Sequence, residues 1–294
     1  MKKSRKIIAL AVMAVFLCTS GGARAGDMVQ IKGSDTLINL VQKLSEVYME
    51  KNPGKYIAVT GGGSGTGIAA LTNGKCDLAN ASRNMKPKEI TRAQSRGVSP
   101  KRVVIALDGL SVIVNGTNGV DKLTMGQIGK IFRGEATNWK DVGGADKPIT
   151  LYGRQSNSGT FVLFRDMVLK GDYSARMKRM NGNSQIVEAV KADSTGIGYV
   201  GVGYVKNVTG IKVLEVAAYE GAPYASPLRT EDVKSGKYPI ARPLNQYVDG
   251  TPEGDVRDFI EFELSAEGQR IVEEEGFFPI PKEYEQFNER NAGI

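Results

Sequence analysis

The chain has 294 residues, with 39 lysines and arginines against 32 aspartates and glutamates, two cysteines and no histidine. The absence of histidine excludes Ser-His-Asp and Cys-His catalysis, His-ligated zinc and HExxH sites. The formal charge of +7 at first suggests a basic partner surface, but the distribution of the charges removes that reading. Met1-Lys-Lys-Ser-Arg-Lys, an apolar run over residues 7–17, and Ala23-Arg24-Ala25 before Gly26 form a secretory signal with a small-x-small cleavage site. The apolar run is too short for a permanent anchor. Cleavage is expected after Ala25, releasing a soluble protein to the periplasm. Residues 1–25 carry Lys2, Lys3, Arg5, Lys6 and Arg24 and no acid, so 39 less these five leaves 34 basic residues against 32 acidic. Nucleic acid is therefore not expected as a partner. Cys76 is then the only cysteine left, which excludes an intramolecular disulfide and a two-cysteine metal site.

In chain order, Val29–Lys32 reads as a short strand ending at Gly33-Ser34-Asp35-Thr36. Leu37, Leu40, Val41, Leu44, Val47 and Tyr48 keep helical spacing up to Lys51-Asn52-Pro53-Gly54. Tyr56–Val59 is a second strand, running into the glycine-rich Thr60–Gly67 and a short helix over Ile68–Leu71. Asp77–Arg83 is a third strand, and a helix follows at Pro87–Arg96. The β-rich run Arg102–Val114 is broken by Asp108-Gly109, as if it left one sheet for another. Thr124–Phe132 is helical, and Ala136–Gly144 is a loop holding the only tryptophan, Trp139.

Pro148–Tyr152 leads into Gly153-Arg154-Gln155-Ser156-Asn157-Ser158-Gly159-Thr160, after which Phe161, Val162, Phe164, Met167 and Val168 recur at helical spacing. Ser184–Lys191 is a helix, Ile197–Gly201 a tight strand, and Pro239–Leu244 a second candidate crossing. Gly254–Glu275 reads as helical, with Phe259, Phe262, Leu264, Ile271 and Val272 in register. Alternating strands and helices predict an α/β fold. The two crossings predict two lobes, residues 26–110 with 243–294 and residues 111–242.

Four polar segments share one setting: Thr36, Ser64 and Ser82-Arg83 each follow a strand, and so does Arg154 with Ser158-Gly159-Thr160. Ligands of open α/β sheets sit beyond the carboxyl ends of strands. Helix N-termini attract anions by about 0.3–1 kcal/mol each, and a guanidinium presents a fixed fork of donors to an oxyanion. Together the segments predict a small oxyanion held between lobes. The glycine run has no Lys-Ser/Thr after its last glycine, so it is not a Walker A loop. It also lacks GxGxxG spacing, because Thr66 and Ile68 stand where the last glycine would be. Nucleotide binding is disfavoured on both counts.

Gly33–Thr36, Gly63–Gly65, Asp77–Arg83 and Arg154–Thr160 resemble the phosphate-binding proteins of bacterial phosphate ABC importers. So do Ile131–Gly134 with Thr137-Asn138-Trp139, Gly196–Val200, and Ser265–Gln269 before Gly276-Phe277. The resemblance implies a two-lobed periplasmic-binding-protein fold of type II, with one phosphate in the interlobe cleft. It implies hydroxyl ligands from Thr36 and Ser64 and a backbone N–H from Leu37. From the other lobe it implies Arg154, Ser158, Thr160 and the N–H of Gly159. It also implies a membrane-embedded permease as partner, no cofactor, no metal and a monomer.

The chain departs from the family at two places. Arg83 follows Ser82 where well-known members have an aspartate that accepts the proton of hydrogen phosphate. Ser156 stands where some members have an acid that orients the arginine. Ser82 and Arg83 are therefore expected at the ion, Arg83 strengthening its hold, with Asp35 or a serine hydroxyl taking the phosphate proton. The competing readings are a binding protein for another tetrahedral oxyanion such as sulfate or molybdate, a phosphatase, and a sensory or adhesion role for the same lobes.

Overall fold

The computed structural model describes residues 28–294; the expected signal segment and its expected cleavage site lie outside them. In chain order the strands are β1 (Val29–Gly33), β2 (Ile57–Thr60), β3 (Leu78–Ala81), β4 (Pro100–Gly109), β5 (Ser111–Asn115), β6 (Lys122–Thr124), β7 (Thr150–Arg154), β8 (Lys178–Met180), β9 (Gly196–Val200), β10 (Ile211–Val213), β11 (Glu215–Ala217) and β12 (Ala241–Asp249). The helices are α1 (Ile38–Lys51), α2 (Ser64–Thr72), α3 (Pro87–Gln94), α4 (Met125–Arg133), α5 (Gly159–Phe164), α6 (Asn183–Ala192), α7 (Thr230–Lys234), α8 (Gly254–Leu264), α9 (Ala266–Glu274) and α10 (Lys282–Ala292).

Two five-stranded sheets divide the strands, in the orders β2-β1-β3-β12-β4 and β10-β5-β9-β7-β8, with a small β11-β6 ribbon beside them. In the first, β1 runs parallel to β2 and β3, and β12 is antiparallel to β3 and β4. In the second, β7 is parallel to β8 and β9, and β5 is antiparallel to β9 and β10. The chain is a two-lobed α/β protein, and it passes between the sheets twice. The first passage is at Leu110, between β4 and β5. The second is at Ile240, before β12, which already pairs with β4 from Ala241. The passages lie side by side: Leu110 N donates to Ile240 O at 3.0 Å, and the Tyr238 hydroxyl donates to Leu110 O at 2.6 Å.

Strand β3 is buried along its whole length, because both faces are covered: Ala79 and Ala81 cluster with Ile68 and Leu71 of α2, and Leu78 joins the core that holds Leu40, Val41 and Leu44 of α1. Helix α1 turns Leu40, Val41, Leu44 and Tyr48 to the core, and Tyr48 meets Phe259 edge-on with ring centroids 5.4 Å apart. In the second lobe Phe164 stacks on Tyr199 at 4.1 Å, and Phe132 contacts both rings.

Three stretches differ from the sequence reading. The glycine-rich run is helical from Ser64, not a loop. The tail is two helices, because Ser265 adopts extended dihedrals and caps α9 by accepting from Gly268 N at 3.1 Å. Helix α10 was not legible, since it is mostly polar. Its buried Asn288 explains its place: the side-chain amide donates to Val104 O at 2.9 Å and accepts from Val104 N at 2.8 Å. Strand β4 is the sheet edge, and these bonds satisfy backbone groups that would otherwise template aggregation.

Candidate functional site

The parallel strands β1, β2, β3 and β7 end at the same cleft, and their following turns bring together the segments expected there. Thr36 Oγ1 lies 3.0 Å from Thr160 Oγ1, and Ser82 Oγ lies 3.4 Å from the same atom and 3.3 Å from Ser64 Oγ. Thr36 and Ser82 belong to the first lobe and Thr160 to the second, so this hydroxyl cluster spans the gap. All of these side chains, with Arg154 and Ser158, are buried.

Local folding leaves the hydroxyls free for this. Leu37, not Thr36, is the N-cap of α1, with no side-chain cap, so the Thr36 hydroxyl faces the cleft. Ser64 opens α2, and its Oγ accepts from Ser82 N at 3.0 Å. Ser158 caps α5 by accepting from Phe161 N at 3.3 Å. On both serines an N–H occupies an acceptor position on the oxygen, which leaves the hydroxyl proton to be donated elsewhere. The Leu37 N–H, expected as a ligand, donates here to Ser34 O at 3.1 Å.

Gly159 is required by close approach. A Cβ there would lie 2.3 Å from Ser64 Oγ and 2.7 Å from Ser82 Oγ. At Gly63, with φ at +89°, a Cβ would lie 2.8 Å from Asn157 O. Asn157 also bridges the lobes, donating from Nδ2 to Gly62 O at 2.8 Å while its carbonyl accepts from Gly65 N at 3.0 Å.

Arg154 ends β7 with its side chain 2% exposed. Its Nη2 donates to Asp35 Oδ2 and to Asn181 O, the latter at 2.7 Å. Its Nε and Nη1 are buried with no hydrogen-bond partner among the described residues. Buried guanidinium donors without partners are costly, and an oxyanion is the ligand chemistry that satisfies them. The backbone is steadied from behind, because Arg154 N donates to the Tyr199 hydroxyl at 3.2 Å. Burial pushes the Tyr199 phenol up to about 12, so it remains a neutral hydroxyl.

Asp35 holds the arginine rather than facing the hydroxyl cluster. Its Oδ1 accepts from Gly62 N at 3.0 Å, and its carbonyl accepts from the Tyr204 hydroxyl at 2.5 Å.

Arg83 is a correction to the expected picture. Its two terminal nitrogens each donate to the Glu89 carboxylate at 2.7 Å, and Nη1 also donates to Asn84 O at 2.9 Å. Glu89 reaches it because it closes the α3 capping box, accepting from Lys86 N at 2.7 Å. Burial alone would raise the Glu89 carboxyl, but the bonds from Arg83 and Lys86 outweigh burial and hold it below the ordinary value. Arg83 is thus the partner of an acid and not a free cation. The spacing of Lys86 and Glu89 was the available signal.

Sequence reasoning missed Asp108 and Arg242. Arg242 Nη2 donates to Thr160 Oγ1 at 3.1 Å, and Nη1 donates to Ser82 O at 2.9 Å. Asp108 pairs with Arg242 at 2.6 Å. A signal existed at Asp108, which follows the apolar run Val103–Leu107 of β4, where a buried charge without a partner is rare; Arg242 stands in the more polar β12 and carried none.

Fold and site together define a two-lobed binding protein that closes over a small anion-shaped set of donors. The family model for the PBP superfamily domain matches residues 19–267, and the chain belongs to that superfamily. Within it the chain is PstS-like: it is 33% identical over 267 residues to the phosphate-binding protein PstS of Pseudomonas aeruginosa, covering 85% of this chain and 82% of that one. It is 30% identical over 301 residues to PstS of Bacillus subtilis, covering 95% of both. Among solved structures, a putative phosphate ABC transporter substrate-binding protein with bound phosphate from Clostridium perfringens matches with TM-score 0.77 and 29% identity, over 87% of this chain and all of that one. An ABC-type phosphate transport receptor from Vibrio cholerae matches with TM-score 0.70 and 28% identity, over 86% of this chain and 100% of that one.

Proposed function

We propose that this protein captures inorganic phosphate between its lobes and delivers it to a membrane-embedded ABC permease. The observation that carries the reading is the pair of unpartnered buried Arg154 nitrogens beside hydroxyls drawn from both lobes. The PstS names of the relatives support it. The ligand set is Thr36, Ser64, Ser82, Arg154, Ser158, Gly159 and Thr160, with the Leu37 N–H joining once its turn to Ser34 is exchanged for the ion. Arg83, neutralised by Glu89, acts on the ion only through space.

The phosphate proton is assigned to Ser82. Asp35 is occupied by Arg154 and Gly62 N. The oxygens of Ser64, Ser158 and Thr160 each receive an N–H. The Ser82 and Thr36 hydroxyls receive none; of these two, Ser82, at the end of β3, is the one proposed to accept from a P–OH group and to donate its own proton onward to a neighbouring hydroxyl oxygen. Nothing is done to the ligand chemically. The protein acts as an exported monomer, cleaved after Ala25, and lobe closure is the signal that the permease reads.

Calorimetric titration with phosphate, arsenate and sulfate tests this. Phosphate and arsenate are expected to compete for one site, and sulfate to bind at least tenfold more weakly. Ser82→Ala is expected to narrow that gap. Sulfate binding as tight as phosphate overturns the proton assignment. Molybdate or sulfate binding in place of phosphate overturns the assigned ligand.

A further inference from the structure

Asp108 and Arg242 face each other as paired residues of β4 and β12, immediately before and after the chain's passages between the sheets. Both are buried, at 0% and 3% exposure. Such a pair is tolerated only when its polar atoms are partnered, and these reach into both lobes. Asp108 Oδ2 accepts from Arg242 Nε at 2.8 Å, and Oδ1 accepts from Val202 N, just past β9, at 2.8 Å. Arg242 Nη1 grips the end of β3 at Ser82 O, and Nη2 donates to Thr160 Oγ1.

A guanidinium has only donors. Whatever else the Thr160 hydroxyl does, its oxygen is the acceptor in that bond, and its single proton points elsewhere. The neighbours on that side are Thr36 Oγ1 and Ser82 Oγ, the atoms of the cleft. Without Arg242, the Thr160 hydroxyl is free to rotate and present a lone pair to the ion, which an anion repels.

We propose that Arg242, held by Asp108, is a positioning residue of the ion site, acting through Thr160 by fixing that hydroxyl as a donor to the ion. The proposal rests on the phosphate reading above. It also ties affinity to the hinge, because the side chain that orients the ligand hydroxyl sits where the lobes join.

A double-mutant cycle tests it, using inorganic phosphate and calorimetry with Arg242→Gln, Thr160→Val and both together. Arg242→Lys repeats the cycle with the Asp108 charge still compensated, in case Arg242→Gln does not fold. Thermal melting is recorded for every variant. In the unsubstituted background, loss of Arg242 is expected to weaken binding by about tenfold. In the Thr160→Val background the same substitution is expected to cost less than about twofold. That coupling is a readout that a purely structural role, or simple loss of a positive charge, does not move, since either costs the same factor in both backgrounds. Equal losses in the two backgrounds overturn the proposal, as does unchanged affinity in a folded Arg242 variant. Absence of phosphate binding by the unsubstituted chain instead overturns the phosphate reading itself.

Discussion

Asp35 and Arg154 form an ion pair across the cleft, one from the turn after β1 and the other from the last residue of β7. The pair takes one terminal nitrogen of the guanidinium and leaves Nε and Nη1 for a ligand. It also links the lobes, so closing the cleft and aiming the arginine are one event.

Asp35→Asn keeps the bond from Gly62 N but removes the charge that orients Arg154. A charge-assisted bond contributes roughly 1.5–3 kcal/mol, and losing the repulsion between Asp35 and the ion offsets part of it. Phosphate affinity is expected to fall by about tenfold, measured by calorimetry. Tighter binding by the variant would show that repulsion dominates and that Asp35 is not an aid to the arginine.

Gly159→Ala places a methyl group against Ser64 Oγ and Ser82 Oγ of the opposite lobe. Overpacking costs roughly 1–3 kcal/mol, here charged to closure rather than to either sheet. Affinity is expected to drop by about ten- to a hundredfold while the melting temperature of the unliganded protein stays within a few degrees. Scattering in saturating phosphate is expected to show a larger radius of gyration than the parent. A compact, tight-binding variant would contradict the closed geometry.

Arg83→Ala removes the partner of a half-buried acid. Stability is expected to fall by about 1–3 kcal/mol, read from denaturant unfolding, with phosphate affinity changed less than about threefold. Arg154→Ala is expected to do the reverse, costing affinity far more than stability. A large affinity loss in Arg83→Ala at unchanged stability would return Arg83 to the ion.

Glu263 carries a pH dependence. It is fully buried, with Oε1 accepting from Gln246 Nε2 at 3.1 Å and Oε2 unpartnered among the described residues. Burial raises its carboxyl well above the ordinary 4.5, against the opposing bond from Gln246. The folded protein therefore keeps the proton that the unfolded chain releases. Stability from this group is intact below about 4.5 and is lost as pH rises from there toward the folded value. Glu263→Gln removes that slope. The variant is expected to melt higher than the parent at pH 8 and close to it at pH 4. A difference between the two that does not change over this range would show that Glu263 is charged in the fold.

Much of this was legible because strong local signals coincided with the tertiary need. The spacing of Leu40, Val41, Leu44 and Tyr48 set α1, and the turns after β1, β2, β3 and β7 supplied hydroxyls and glycines where strands ended. Pairings across the chain were not legible. The Arg83–Glu89 pair had a local signal in the spacing of Lys86 and Glu89, but nothing local brought Asp108 beside Arg242 at a separation of 134 residues. The polar α10 was missed for a related reason: its role is to pair the edge of β4 through Asn288, and hydropathy does not record that.

The bond between Leu110 and Ile240 joins the two passages side by side, and Gly109 is already the cross-strand partner of Ala241. Residues 110–240 are thus topologically a graft whose two stumps touch. A short β-hairpin turn from Gly109 to Ala241 would close the first sheet without them. The excised segment, circularised or given new termini, is then a natural unit for splitting the protein into complementing fragments that reassemble around the ion.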